Sequence, residues 1–100
     1  MAGRSKNLIA QEVAAHIREQ GGLLANWYVG IASDVNQRLF RDHNVPRDNH
    51  WYIYRKAVND QDAREIEKYF LDQGCKGGSG GGDDSCSFVY AYLITAITRE

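Results

Sequence analysis

One hundred residues, 43% hydrophobic and 11% aromatic, suit a single folded domain with one core and exclude a disordered chain. A formal net charge of −1 and a pI near 6.3 leave no global field drawing the chain to nucleic acid or to anionic membrane, so any phosphate-binding role must come from a local patch. No apolar run approaches the roughly 18–20 residues of a membrane span.

The start MAGRSKNLIAQEV turns polar too soon for a secretion signal, and Cys75 and Cys86 are read as free thiols. The expectation is a cytoplasmic chain with no membrane partner.

Ser5–Gln20 is the first predicted element, a helix whose Ile9, Val13 and Ile17 repeat at helical spacing and which Gly21-Gly22 stops. His16 falls at the edge of its apolar face and reads as a packing histidine, because no second metal ligand sits at helical spacing. Asn26–Ala32 follows as a strand with Trp27, Val29 and Ile31 on one side and Tyr28 and Gly30 on the other. Ser33 or Asp34 then caps a helix running to about His43, with Val35 and Leu39 on its apolar stripe.

Asn44–Asn49, with the sole proline at Pro46, reads as a loop. Neither His43 nor His50, which flank it, has zinc spacing, and both are expected at the surface. Trp51–Ala57 alternates as a second strand, and Trp51, like Trp27, is expected in the core. Asn59 or Asp60 caps a helix over Gln61–Gln73, ended by Gly74.

Gly74–Asp84 is the low-complexity stretch GCKGGSGGGDD. It reads as a flexible connection or as a tight loop needing positive φ, and its length hints at contact with a partner or substrate. It lacks the Gly-Lys-Ser/Thr ending of a nucleotide-binding loop, and Asp83-Asp84 alone make a poor calcium site. Cys86–Ile97 closes the chain as a third strand, with a helix over Ala91–Thr98 as the alternative.

Alternation predicts one sheet face built from Val29, Ile31, Ile53, Val89, Ala91 and Leu93, and a second from Tyr28, Tyr52, Tyr54, Tyr90 and Tyr92. The helix over Gln61–Gln73 carries an anomaly. Ala63, Ile66 and Phe70 define its apolar face, and Glu67 projects along that face while Glu65 lies on the polar side. A carboxylate aimed at a core needs a partner, a metal or a wet cleft. Pairing with Arg38 or Lys56 is one reading of Glu67, and a functional role is the other.

Tyr28-Val29-Gly30 with Arg38 on the following helix and Glu67 on a later one resembles the second half of the GIY-YIG nuclease signature. The resemblance spans Trp27 to Gln73. It implies an α+β fold with a small three-stranded, mainly antiparallel sheet and about three flanking helices. It also implies a metal-dependent phosphodiester hydrolase acting on DNA.

By the same resemblance Tyr28, Arg38 and Glu67 are the catalytic residues, and Glu67 binds Mg²⁺ or Mn²⁺. Gly30, Arg38, His43, Tyr52 and Tyr54 are expected to meet phosphate or nucleic acid. A metal and a guanidinium suit the charge that develops on phosphoryl oxygens during in-line displacement.

The chain departs from the family in three places. The family's first tyrosine, on the strand before YIG, has no counterpart in Ile17–Gly22, which leaves the last strand to fill the vacated sheet position. The histidine or tyrosine that often follows the arginine by one α-helical turn is replaced by Asp42, with His43 one residue later. The asparagine frequently found beyond the glutamate has no clear equivalent, because the glycine-rich loop intervenes.

A noncatalytic nucleic-acid- or protein-binding module on the same scaffold is the alternative function, its tyrosine-rich face stacking on bases or holding a partner. A structural or homo-oligomeric domain with that face buried under the first helix is the third.

Overall fold

A computed structural model describes residues 5–20, 22–48, 50–77 and 86–99. Most of the glycine-rich segment, including Asp83 and Asp84, lies outside the described residues.

Helix α1 spans Lys6–Glu19; the Ser5 hydroxyl accepts from the Leu8 amide at its start, and Ile9, Val13 and Ile17 are buried. Gly22, at φ +79°, ends it by donating its N–H to the Ile17 carbonyl at 2.9 Å. A short 3₁₀ turn, Leu24–Asn26, leads into strand β1, Trp27–Ala32, all six residues of which are buried.

The Asp34 carboxylate then accepts from the Gln37 amide, and Gln37–Asp42 winds as a π-helix rather than the α-helix expected. Strand β2 is Tyr52–Lys56; helix α2 is Asp60–Asp72, capped by the Asn59 side chain on the Asp62 amide; strand β3 is Phe88–Leu93. This is a small α+β fold with a three-stranded antiparallel sheet and flanking helices.

The sheet order is β1-β3-β2, so the last strand of the chain is the central one. Tyr28 faces Tyr92 and Gly30 faces Tyr90 across the β1–β3 pair, and Tyr54 faces Tyr90 across β2–β3. The chain after α2 extends the other edge of β1. Val29 N–H donates to the Lys76 carbonyl at 2.9 Å and Lys76 N–H to the Trp27 carbonyl at 2.8 Å, forming a parallel bridge.

Two cores sit on the two faces of this sheet. One face takes Val29, Ile31, Ile53, Val89 and Ala91 against α1 and against Ala63, Ile66 and Phe70 of α2. The other gathers Tyr28, Tyr90 and Tyr92 with Val35, Leu39 and Val45, under the π-helix and the loop after it. The sheet is therefore covered on both sides, which is why all of β1 and the four middle residues of β3 are buried.

Both alternating sets fall on the expected faces, with one qualification of function. Tyr28, Tyr90 and Tyr92 are 8%, 1% and 0% exposed, so they form a core and not a stacking platform, and what covers them is the π-helix rather than the first helix. Trp51 corrects the expectation of a core tryptophan: it is 48% exposed, just before the edge strand β2. Trp27 is fully buried, with His16 edge-on at 5.6 Å between ring centroids. Cys75 and Cys86 are buried free thiols, and burial pushes the Cys75 thiol up to about 11, which leaves it protonated and inert.

Candidate functional site

Tyr90, on the central strand, is the middle of the polar cluster. Its hydroxyl lies 2.7 Å from Nε2 of His43, whose Nδ1 lies 2.6 Å from the Arg99 carbonyl and 3.1 Å from the Tyr92 hydroxyl. Tyr28 stacks on Tyr92 at 5.2 Å between ring centroids and packs on the His43 ring at 4.6 Å. His43 is 4% exposed, which corrects the surface position expected of it. His50 is half-buried as well, with Nε2 donating to the Leu93 carbonyl at 2.8 Å.

The π-helix explains how His43 gets there. His43 N–H donates to the Arg38 carbonyl at 2.9 Å, a bond spanning five residues instead of four. One extra residue is absorbed in the turn, so His43 takes the station that the fourth residue after Arg38 would hold on an α-helix. Asp42, which the linear count placed there, is turned outward, 4.0 Å from the Arg38 guanidinium in a loose and largely exposed pair.

Gly30 is the other requirement. A Cβ at this position would fall 2.5 Å from the Tyr90 hydroxyl oxygen and 2.6 Å from the carbon bearing it. Because that hydroxyl is pinned to His43, the ring has no cheap way to retreat. Gly30 thus serves close packing against Tyr90.

Charge collects around this cluster from both faces. Burial and the neighbouring Tyr28 phenol push the Tyr90 hydroxyl upward, the Arg38 guanidinium pulls it down, and the Glu67 and Asp42 carboxylates push it up again. Arg38 belongs to the π-helix over the face that holds Tyr90, and Glu67 to α2, which packs on the opposite face.

Glu67 is half-buried; desolvation raises its carboxyl above the usual range, and Arg64 only partly offsets this. Neither Arg38 nor Lys56 pairs with it. Arg38 leans on Asp42, Lys56 donates to the Ser87 hydroxyl, and Arg64 pairs with Asp60. Glu65 lies on the exposed side, as expected, in a 2.9 Å pair with Lys6.

Arg38 and Asp42 open onto a small cleft of about 120 Å³ between the end of β1 and Cys86. Tyr52 is half-buried edge-on to Phe40, over whose ring Arg47 sits at 4.0 Å, while Tyr54 is exposed on the edge strand. Tyr52 packs against the edge of the core that holds Tyr90, and Tyr54 lies opposite Tyr90 on the sheet but is not buried with it.

Among the described residues, no three His, Cys, Asp or Glu side chains gather into a metal cage. A lone carboxylate does not fit zinc or calcium. It does fit Mg²⁺ or Mn²⁺, which retain several waters and lean on substrate phosphates for the remaining ligands.

His43 and Tyr90 were within reach of sequence reasoning through the tyrosine alternation and the offset from Arg38. The Arg99 carbonyl left no signal. Comparison with protein-family models, with curated proteins and with solved structures finds no match to this chain.

Gly30→Ala is expected to destabilise the protein by about 1–3 kcal/mol through overpacking against Tyr90, read as a lower urea midpoint; an unchanged midpoint contradicts the close fit. Burial holds the His43 imidazole below its ordinary value of 6.5. The folded state then binds fewer protons than the unfolded one near that value. Its contribution is full above the unfolded pKa and is lost as pH falls through the folded one. The urea midpoint should drop between about pH 7.5 and 5, and His43→Gln should flatten that slope, leaving the share due to His16, which burial also lowers.

Proposed function

We propose that this domain is a divergent GIY-YIG-like nuclease in which Arg38 holds a nucleic-acid phosphate and Glu67 binds a divalent cation beside a tyrosine–histidine wall. What supports this reading is the packed ring cluster of Tyr28, His43 and Tyr90 beside the π-turn that carries Arg38, with half-buried Glu67 on the neighbouring helix α2. Central strand β3, antiparallel to the YVG strand, stands where the resemblance lacks its first tyrosine-bearing strand, so Tyr90 is its counterpart. The π-turn supports the reading at the second departure, since His43 N–H bonds the Arg38 carbonyl one residue beyond the α-helical count.

The residues divide the work by their chemistry. Half-buried Glu67 has an unfavourable charge that a cation would relieve. Bound there, Mg²⁺ or Mn²⁺ would supply Lewis-acid stabilisation of the phosphoryl oxygens. Arg38, 44% exposed, presents a planar donor fork to the same phosphate from the other side. Tyr28, the most exposed ring of the buried three, orients the attacking water, and His43 with Tyr90 fixes the floor beneath it. Tyr54 and Tyr52 contact the nucleic acid beyond the scissile phosphate.

The burial of Tyr90, 1% exposed, favours a second reading: a binding module on the same scaffold that holds phosphate without cleaving it.

The test is cleavage of single-stranded, duplex and branched DNA with Mn²⁺ or Mg²⁺. Wild type should cut at least one substrate, Glu67→Gln should abolish cutting with folding intact, and Arg38→Ala should lower kcat by about 10²–10³-fold. Metal-independent cutting, or cutting that survives Glu67→Gln, overturns the nuclease reading. Salt-dependent binding with no cleavage establishes the binding module instead.

A further inference from the structure

We propose that the C-terminal turn, Thr95–Arg99, is a positioning element of the site: its Arg99 carbonyl holds His43 in the tautomer protonated on Nδ1, making Nε2 the acceptor for the Tyr90 hydroxyl. For its catalytic consequence this rests on the nuclease reading; the hydrogen-bond assignment stands without it.

A carbonyl oxygen only accepts hydrogen bonds. Nδ1 of His43, 2.6 Å from the Arg99 oxygen, must therefore carry a proton. The Tyr92 hydroxyl, 3.0 Å from the same oxygen, donates to its second lone pair. In the neutral ring Nε2 is then bare, and the one hydroxyl beside it, that of Tyr90 at 2.7 Å, donates to it. A bond of this kind raises the electron density on the Tyr90 oxygen and locks its ring over Gly30.

If the carbonyl were removed, Nδ1 would be left facing the Tyr92 hydroxyl at 3.1 Å, a group that donates or accepts equally well. Both tautomers would then be available.

The turn is built to place that carbonyl. Thr95 N–H donates to the Thr98 hydroxyl oxygen at 2.9 Å, and that hydroxyl donates back to the Thr95 carbonyl at 3.1 Å. Asn44, in the left-handed region at φ 55°, donates from its side-chain amide to the Ile97 carbonyl at 2.9 Å. Arg99 N–H donates to the His43 carbonyl at 2.7 Å. Main chain and ring of His43 thus grip the same residue from two sides. The Arg99 side chain takes no part in these bonds.

The experiment is a long-range proton–nitrogen correlation spectrum of the ¹⁵N-labelled full chain at neutral pH, with the His43 ring assigned by its loss in His43→Gln. Wild type should show a single tautomer, Nδ1 protonated and Nε2 bare. Arg99→Ala keeps the main-chain bonds and should match wild type. Arg99→Pro deletes the N–H to His43 and should give mixed tautomers or the Nε2-protonated form.

A wild-type ring protonated on Nε2, or an unchanged ring in Arg99→Pro, overturns the proposal. Should Arg99→Pro fail to fold, Thr98→Ala loosens the turn more gently and is read by the same criterion. Where wild type cleaves DNA, Arg99→Pro should lower kcat and leave KM unchanged. A tautomer that responds as expected in a chain that never cleaves DNA keeps this inference and sinks the nuclease reading alone.

Discussion

The structure depends on one pairing: β3, the last strand of the chain, inserted between β1 and β2 with Tyr90 directly opposite Gly30. The pair works because each residue supplies what the other requires. Gly30 leaves the space that a Cβ would close, and Tyr90 fills it with a phenol whose hydroxyl is secured by His43. With both hydroxyl and ring held, an aromatic group can occupy the interior without leaving a polar atom stranded. Shift β3 by one residue and its own tyrosines, Tyr90 and Tyr92, would exchange places with Val89 and Ala91 on the face toward α1 and α2.

Covering both faces of so small a sheet has a consequence for function. Chemistry on an open antiparallel sheet can use its exposed face, but here both faces are cores. The more exposed polar groups therefore lie at the margins, among them Arg38 on the π-helix and half-buried Glu67 on α2. Rare π-turns are often found where a functional side chain must be re-aimed, and this one turns His43 inward and leaves Asp42 outside with Arg38.

Much of this was legible in the sequence. The two-residue period of the tyrosines and aliphatics marks all three strands and both faces, and Ser5, Asp34 and Asn59 cap where their side chains suggest. Glu67 stands out because a helical period aims a carboxylate along an apolar stripe. What periodicity does not carry is order in space. The central position of β3 comes from pairing between strands far apart in the chain, and the Lys76 bridge on β1 has no side-chain signal at all. Trp51 departs from the expectation because large apolar residues usually lie inside, while this one flanks an edge strand, 48% exposed with the His16 ring edge-on at 6.4 Å. His43 departs from the surface position expected of a residue flanking a loop because the π-turn absorbs an extra residue and carries its ring inward.

The central claim is that Glu67 and the Tyr90 cluster share one cation-binding neighbourhood. Titrating substoichiometric Mn²⁺ into ¹⁵N- and ¹³C-labelled protein tests it most directly, because the ion broadens the resonances of nearby nuclei. The account predicts broadening confined to Glu67, Tyr28, Tyr90 and Arg38, and its loss in Glu67→Gln. Broadening centred elsewhere, or persisting unchanged in Glu67→Gln, would contradict it.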